Sequence, residues 1–321
     1  MIVALAGGVG GARLAVGLAA ALPPRQLAIV VNTGDDFQHL GFTICPDLDT
    51  VMYTLAGVND RIAGWGRADE SWNFIDTLRE LGGEIWFRLG DRDLAVHVLR
   101  TLALRDRVPL SEVTRRLALR LGVRHAILPM SETPVRTRVR TDRGELSFQD
   151  YFVRLRCRPR VRGFRFVGSR NATPPAPLRN VLRGEAVSAV VLCPSNPYLS
   201  IAPILAVPEI GAWIRRRGFP VVAVSPIVGG TAVKGPAAKL MRELGEQPSA
   251  LGVVRHYGNL VDGWMIDRRD ATLEPAIERE GKRVLVTDTL MTSRSKSVRL
   301  AKATLAFARR LAGRASMSFR P

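Results

Sequence analysis

The sequence predicts an α/β protein with a Rossmann-like, mostly parallel sheet flanked by helices, a helical insertion and a small antiparallel β insertion. Three observations carry this reading. Short apolar runs rich in Val, Ile and Leu recur at Ile2–Ala6, Leu27–Val31, Val187–Leu192 and Val221–Val224, without the polar alternation of a half-exposed strand. Helix-length segments separate several of them. The runs also end in turns rich in Gly, Asp, Ser or Asn, and open α/β sheets bind ligands at strand carboxyl ends.

At 321 residues and 46% hydrophobic content the chain can bury a large core, and it reads as a single α/β domain, 1–321. A formal net charge of +18 raises the question of nucleic acid. Only five of the 47 basic residues are Lys, however, and the 42 Arg are scattered through every segment. There is no RNA-binding aromatic signature and no Cys/His finger spacing, so no nucleic-acid partner is expected. The positive field would still draw in a polyanionic small substrate. Cys45, Cys157 and Cys193 are far apart and odd in number, as in a reduced cytoplasmic protein. No apolar run approaches the roughly 18 residues of a membrane span. Met1–Leu22 lacks a basic start and is broken by glycines and Arg13, so it reads as strand, loop and helix rather than a signal peptide.

Taken in order, Ile2–Ala6 is a buried strand, Gly7-Gly8-Val9-Gly10-Gly11 a loop, and Ala12–Leu22 a helix stopped by Pro23-Pro24. With strand Leu27–Val31 they form a βαβ unit of right-handed crossover. Glycines let backbone N–H groups approach a ligand, and a helix N-terminus favours negative charge, so Gly8, Gly10, Gly11 and Arg13 are candidate phosphate contacts. The dinucleotide fingerprint is incomplete: its third glycine is missing, and Asn32 rather than an acid ends the second strand. No Gly-Lys-Ser/Thr follows, so this is no Walker loop.

Asn32-Thr33-Gly34-Asp35-Asp36 and Pro46-Asp47-Leu48-Asp49-Thr50 place four carboxylates within fifteen positions of one another. Such a cluster repels itself unless a cation sits among it, and Mg²⁺ prefers oxygen ligands alongside phosphate. Asp35, Asp36, Asp47 and Asp49 are therefore the candidate metal ligands. From 50 to 121 the pattern is a helical insertion, with helices predicted at Thr50–Leu55, Ser71–Leu81, Asp91–Leu104 and Ser111–Leu121, the last capped by Ser111. Asp91 and Asp93 complement a helix dipole, which leaves Arg88 and Arg92 free for phosphate or carboxylate. Trp65, Trp72, Trp86 and Phe87 can pack in the core or stack on a flat ring.

His125–Met130 is a strand. Residues 133–170 alternate Arg or Thr with apolar residues, as in an antiparallel insertion turning near Arg143-Gly144, and Asn171–Pro177 is a proline-rich loop. Val187–Leu192 ends in Cys193-Pro194-Ser195-Asn196-Pro197, and Val221–Val224 in Ser225-Pro226. Between them Glu209–Arg217 is an amphipathic helix. Lys234, just before a helix with Pro236 near its start, is a candidate phosphate contact. Val284–Val286 is a last strand, and a basic helix, Arg294–Ala312, closes the chain. Phosphoryl transfer suits this inventory; covalent catalysis does not, because Cys45 and Cys193 have no evident His partner and no Gly-x-Ser-x-Gly elbow occurs.

Gly7-Gly8-Val9-Gly10-Gly11-Ala12-Arg13, Asn32-Thr33-Gly34-Asp35-Asp36, Cys45-Pro46-Asp47-Leu48-Asp49-Thr50, Leu89-Gly90-Asp91-Arg92-Asp93, Leu128-Pro129-Met130-Ser131, Pro194-Ser195-Asn196-Pro197, Ser225-Pro226-Ile227 and Asp288-Thr289-Leu290-Met291 follow one another along the chain. Together they resemble the 2-phospho-L-lactate transferase family of coenzyme F420 biosynthesis, from Met1 to about Met291. The resemblance implies a Mg²⁺-dependent homodimer of Rossmann-like fold. It also implies the deazaflavin Fo as acceptor, a guanosine diphosphate-linked organic acid as donor, and GMP and coenzyme F420-0 or its dehydro form as products. The family's deazaflavin-binding positions match Asp49 and Arg88. Asp49, with Asp36 and Asp47, is then the catalytic set, and Asn32, Ser195, Asn196 and Ser225 hold the nucleotide. The organic acid (phospholactate, phosphoenolpyruvate or phosphoglycerate) is not decided by any residue. A related branch of the same superfold, UDP-sugar-binding regulators without transferase activity, is the alternative. There the acidic loop runs into a Gly/Ser-rich stretch, whereas here Phe37-Gln38-His39-Leu40 leads to the Pro-Asp-Leu-Asp-Thr segment.

Overall fold

The structure, a computed structural model, describes residues 1–184, 187–216 and 218–317. It opens with strand β1 (Ile2–Ala6), helix α1 (Gly8–Ala21) and strand β2 (Leu27–Val31), and every residue of both strands is buried. A hairpin follows, β3 (Phe37–His39) and β4 (Phe42–Ile44), and then helices α2 (Pro46–Ala56), α3 (Asn73–Glu80), α4 (Asp91–Arg105) and α5 (Leu110–Arg120). Strand β5 (Ala126–Pro129) precedes three antiparallel strands, β6 (Arg136–Thr141), β7 (Gly144–Ser147) and β8 (Val161–Val167). Beyond α6 (Ala176–Arg183) come β9 (Ala189–Leu192), α7 (Ala202–Leu205), α8 (Pro208–Arg215) and β10 (Val221–Val224). A two-residue hairpin, β11 (Ile227–Val228) and β12 (Thr231–Ala232), leads to α9 (Ala237–Glu243) and α10 (Ala250–Tyr257). The chain ends with β13 (Gly263–Asp267), α11 (Glu274–Arg279), β14 (Arg283–Thr287) and α12 (Arg294–Met317).

Seven strands form one sheet in the order β14-β13-β10-β9-β1-β2-β5, all parallel. The chain builds outward from β1 through β2 to β5, then returns to place β9 on the other side of β1. The sheet therefore reverses direction between β1 and β9, which is where a doubly wound sheet opens a ligand crevice. Side chains of β1 alternate between two cores: Val3 and Leu5 join one, and Ile2, Ala4 and Ala6 the other. On the second face α1 packs against α12. They approach closely at Gly17, where an added Cβ would come within 2.2 Å of the Ser297 carbonyl oxygen. Among the described residues no single helix is long and apolar enough to cross a membrane.

The fold class is as predicted, and several boundaries shift for identifiable reasons. The glycine segment is not a free loop: α1 already begins at Gly8, whose φ of +61° a side chain would resist. Helix α2 starts at Pro46 rather than Thr50, because proline is preorganised for the first helical turn, so Asp47 and Asp49 stand on a helix. Ser111 is not the cap of α5. Pro109 occupies that position, and the Ser111 hydroxyl instead donates to Glu132. Ala176 and Pro177, read as loop, begin α6. The helix expected over Glu209–Arg217 runs Pro208–Arg215; its last expected residue, Arg217, lies outside the described residues.

Candidate active site at the switch point of the sheet

Three strand-end turns meet where the sheet reverses. After β1, the Gly7 N–H donates to Ser195 Oγ in the turn after β9, at 3.1 Å. The Gly8 N–H donates to Asp47 Oδ1 at 2.8 Å, which satisfies one of the unpaired donors that open α1. After β2, Asn32 Nδ2 donates to Asp47 Oδ2 at 2.9 Å and to the Leu199 carbonyl at 3.2 Å, while Asn32 Oδ1 accepts from the Gly34 N–H at 2.8 Å. The glycines are what allow this closeness. An added Cβ at Gly10 would lie 2.2 Å from the Pro194 carbonyl oxygen, and one at Gly11 would lie 2.6 Å from Ser195 Oγ. Glycine turn, acidic segment and serine turn thus converge at one point beyond the carboxyl ends of β1, β2 and β9.

Asp35, Asp36, Asp47 and Asp49 are all buried there. Burial, reinforced by the charge of Asp47, pushes the Asp35 carboxyl well above its ordinary range. Burial lifts Asp36 to about 7, against the opposing charge of Arg136. It also lifts Asp47 to about 6, despite the hydrogen bonds from Asn32 and Gly8. The four carboxylates are not equivalent in their partners. Asp47 is taken up by Gly8 and Asn32, and Asp49 by the Arg100 guanidinium, whereas Asp35 Oδ1 and Asp36 Oδ1 are buried with no hydrogen-bond partner among the described residues. A buried, unsatisfied carboxylate oxygen is a costly arrangement that a hard divalent cation relieves. Those two oxygens have the hard-donor chemistry that Mg²⁺ takes, although among the described residues the four acids do not form one group of converging ligand atoms.

The remaining expected site residues divide. Arg13 donates to the Met291 carbonyl at 3.1 Å, and Lys234 donates to the Ala63 carbonyl. Burial, with the nearby charge of Arg13, lowers the Lys234 pKa, so the two cations border the same space. Asn196 caps the turn after β9, accepting from Tyr198 N at 3.0 Å and Leu199 N at 3.1 Å. The Ser225 hydroxyl closes its own turn onto Ile227. Arg88 is exposed, with its guanidinium 4.0 Å over the Trp72 ring, and no direct contact joins it to Asp49 among the described residues. Just before it, Phe37, His39, Trp86 and Phe87 pack ring to ring at 4.8–6.1 Å, an aromatic wall at the end of the hairpin that follows Asp36.

Sequence reasoning passed over three residues. Arg100 is 1% exposed and grips Asp49, His97 lies beside it, and Gln149 of the β insertion donates to the Asp35 carbonyl at 2.9 Å. A signal for the first two was present: Asp93, His97 and Arg100 fall four and three positions apart, a polar stripe along one helix face. Gln149 carries no such signal, because its role depends on how the insertion folds back.

Fold and site together define a doubly wound α/β protein with glycine, acidic and serine turns gathered at its switch point. The sequence profile of the 2-phospho-L-lactate transferase CofD family matches residues 2–306, and the chain belongs to that family of transferases. It is similar to the phosphoenolpyruvate transferase of Streptomyces avermitilis, 42% identical over 314 residues that cover 96% of this chain and 98% of that one. It is also similar to the 2-phospho-L-lactate transferase of Methanosarcina mazei, 38% identical over 301 residues covering 94% and 98%. The crystal structure of BH3568 from Bacillus halodurans, a UPF0052 family member, aligns with a TM-score of 0.60 at 13% identity over 95% of this chain and 98% of that one, so the two share a fold.

Proposed function

We propose that the protein transfers a phosphorylated organic acid from a guanosine diphosphate-linked donor to the ribityl hydroxyl of the deazaflavin Fo, releasing GMP and forming coenzyme F420-0 or its dehydro form. The acceptor oxygen attacks the phosphorus that bears the organic acid. The bond from that phosphorus to the bridging oxygen breaks, and GMP departs with the electron pair. The hydroxyl proton passes to Asp49 or, through it, to solvent. The observation that carries the reading is the convergence of Gly7, Gly8, Asn32, Asp47 and Ser195 beyond the carboxyl ends of β1, β2 and β9.

In this reading Asp35 and Asp36 would hold Mg²⁺, which when bound neutralises charge on the phosphate oxygens. Asp47 keeps the start of α1 in register with the acidic segment, and so positions the backbone that faces the pyrophosphate. Arg13 and Lys234 supply positive charge near the start of α1, and Ser195, Asn196 and Ser225 shape the wall against which the guanosine lies. Asp49 orients the acceptor hydroxyl. Arg88 and the wall of Phe37, His39, Trp86 and Phe87 suit a flat ring, since aromatic faces stack and a guanidinium can lie over them. A homodimer and a cytoplasmic location belong to the same reading.

The test is incubation of the purified chain with Fo, Mg²⁺ and each of the phospholactate, phosphoenolpyruvate and phosphoglycerate donors, with mass detection of products. An Fo adduct with one or more of them is expected. Tight calorimetric binding of UDP-sugars without Fo binding would instead place the chain among the regulators of this superfold.

A further inference from the structure

Asp49 is gripped from a second helix. Asp93, His97 and Arg100 occupy one face of α4, and opposite them α2 presents Asp49 and Tyr53, one turn apart. Arg100 Nη1 donates to Asp49 Oδ2 at 3.0 Å, and Nη2 donates to Asp49 Oδ1, a two-pronged pair that fixes the carboxylate plane. The guanidinium also reaches the Thr43 carbonyl at 3.4 Å and lies 3.2 Å from His97 Nδ1. A guanidinium only donates, so Nδ1 is placed to accept from it, with Nε2 on the far side of the ring. That nitrogen faces Asp93 Oδ1 at 3.5 Å, and the same oxygen accepts from the Tyr53 hydroxyl at 2.6 Å. Asp93 is anchored in turn, its N–H donating to Glu70 at 2.8 Å.

Arg100 and His97 are each 1% exposed and Asp49 4%, so nothing here is a solvated surface pair. Asp49, Asp93 and His97 are close enough together to hold a metal ion. Arg100 argues against one: its charge already balances Asp49, and a second cation beside it would be repelled at low dielectric. Each carboxylate oxygen has lone pairs left over after accepting from Arg100, so Asp49 can still take a hydrogen bond from a ligand hydroxyl.

We infer that Arg100, His97 and Asp93 are positioning residues that hold the Asp49 carboxylate in one orientation toward the acceptor hydroxyl, with the guanidinium standing where a metal would otherwise be needed. This rests on the reading of Asp49 as an acceptor-binding residue. Lysine keeps the charge but not the fork, so Arg100→Lys separates orientation from charge balance.

The experiment is a double-mutant cycle on turnover and Fo affinity with Arg100→Lys, Asp49→Asn and the pair combined, with thermal melting to confirm folding. Arg100→Lys is expected to fold and to lose turnover with Fo on the order of 100-fold, with the KM for donor unchanged. Because Arg100 acts through Asp49, adding Arg100→Lys to Asp49→Asn should cost less than about threefold more. A fully active Arg100→Lys, or losses that multiply in the combined variant, overturns the inference. If Arg100→Lys does not fold, His97→Leu and His97→Asn carry the test. Asparagine restores the acceptor facing Arg100 and should recover turnover that leucine loses, and a His97→Leu variant as active as wild type overturns the inference. No product from the wild-type chain with any donor removes the parent reading and this inference with it, whereas an active wild type with indifferent variants removes this inference alone.

Discussion

Gly8 and Asp47 are 39 positions apart, yet the Gly8 N–H donates to Asp47 Oδ1 at 2.8 Å. The bond joins the first turn of α1 to the first turn of α2, and a carboxylate there is favoured by the partial positive charge at both helix starts. Through its other oxygen Asp47 also holds Asn32, so one side chain ties together the turns that follow β1 and β2.

Asp47→Ala should therefore damage structure and activity together. The part-buried Gly8 N–H would lose its acceptor and the buried Asn32 amide one of its two, a loss of about 1–3 kcal/mol for a donor left unsatisfied. Urea denaturation should show a lower midpoint at unchanged slope. An unchanged midpoint would mean that the two bonds add nothing to stability.

Gly10→Ala tests the closeness of the turns after β1 and β9. The added methyl would meet the Pro194 backbone oxygen, which cannot swing aside as a flexible side chain can. Overpacking of this kind costs about 1–3 kcal/mol. A lowered melting temperature, with loss of donor binding by calorimetry, is the expected result.

The raised carboxyls link stability to pH and to Mg²⁺. Asp36, at about 7, and Asp47, at about 6, bind protons more tightly in the folded chain than in the unfolded one, where both stay near 3.8. Their contribution therefore favours folding at low pH and is lost as pH rises through about 6 and then about 7. A divalent ion needs the ionised carboxylates. Added Mg²⁺ should accordingly raise the melting temperature more at about pH 8 than at about pH 5.5. Equal Mg²⁺ shifts at both pH values would contradict a cation held by Asp35 and Asp36.

Much of this was legible in the sequence. Apolar runs at Ile2–Ala6, Leu27–Val31 and Val221–Val224 are strands because nothing polar interrupts them, and their order along the chain makes a parallel sheet the natural outcome. The crevice could be anticipated too, since rigid strands deliver Gly7, Asn32 and Ser195 to the same edge. Less visible was what each acid touches. Asp47 and Asn32 read as ligand contacts from local pattern, but their partners lie 39 and 15 positions away from Asp47 and depend on packing. The pair of Asp49 with Arg100 spans 51 positions and exists only because α4, packed on β4, turns its polar face to the start of α2. Ser225 and Asn196 were conspicuous as turn residues, and turn closure is what their side chains do.

The most direct test compares GMP release from the same donor, with Fo and Mg²⁺ present, by the wild-type chain, Asp49→Asn and Arg88→Ala. Asp49→Asn should lose nearly all turnover. Arg88→Ala, exposed in the free chain, should melt like wild type but need much more Fo. Wild-type turnover by both variants would contradict the assignment of this crevice as the place where the acceptor binds.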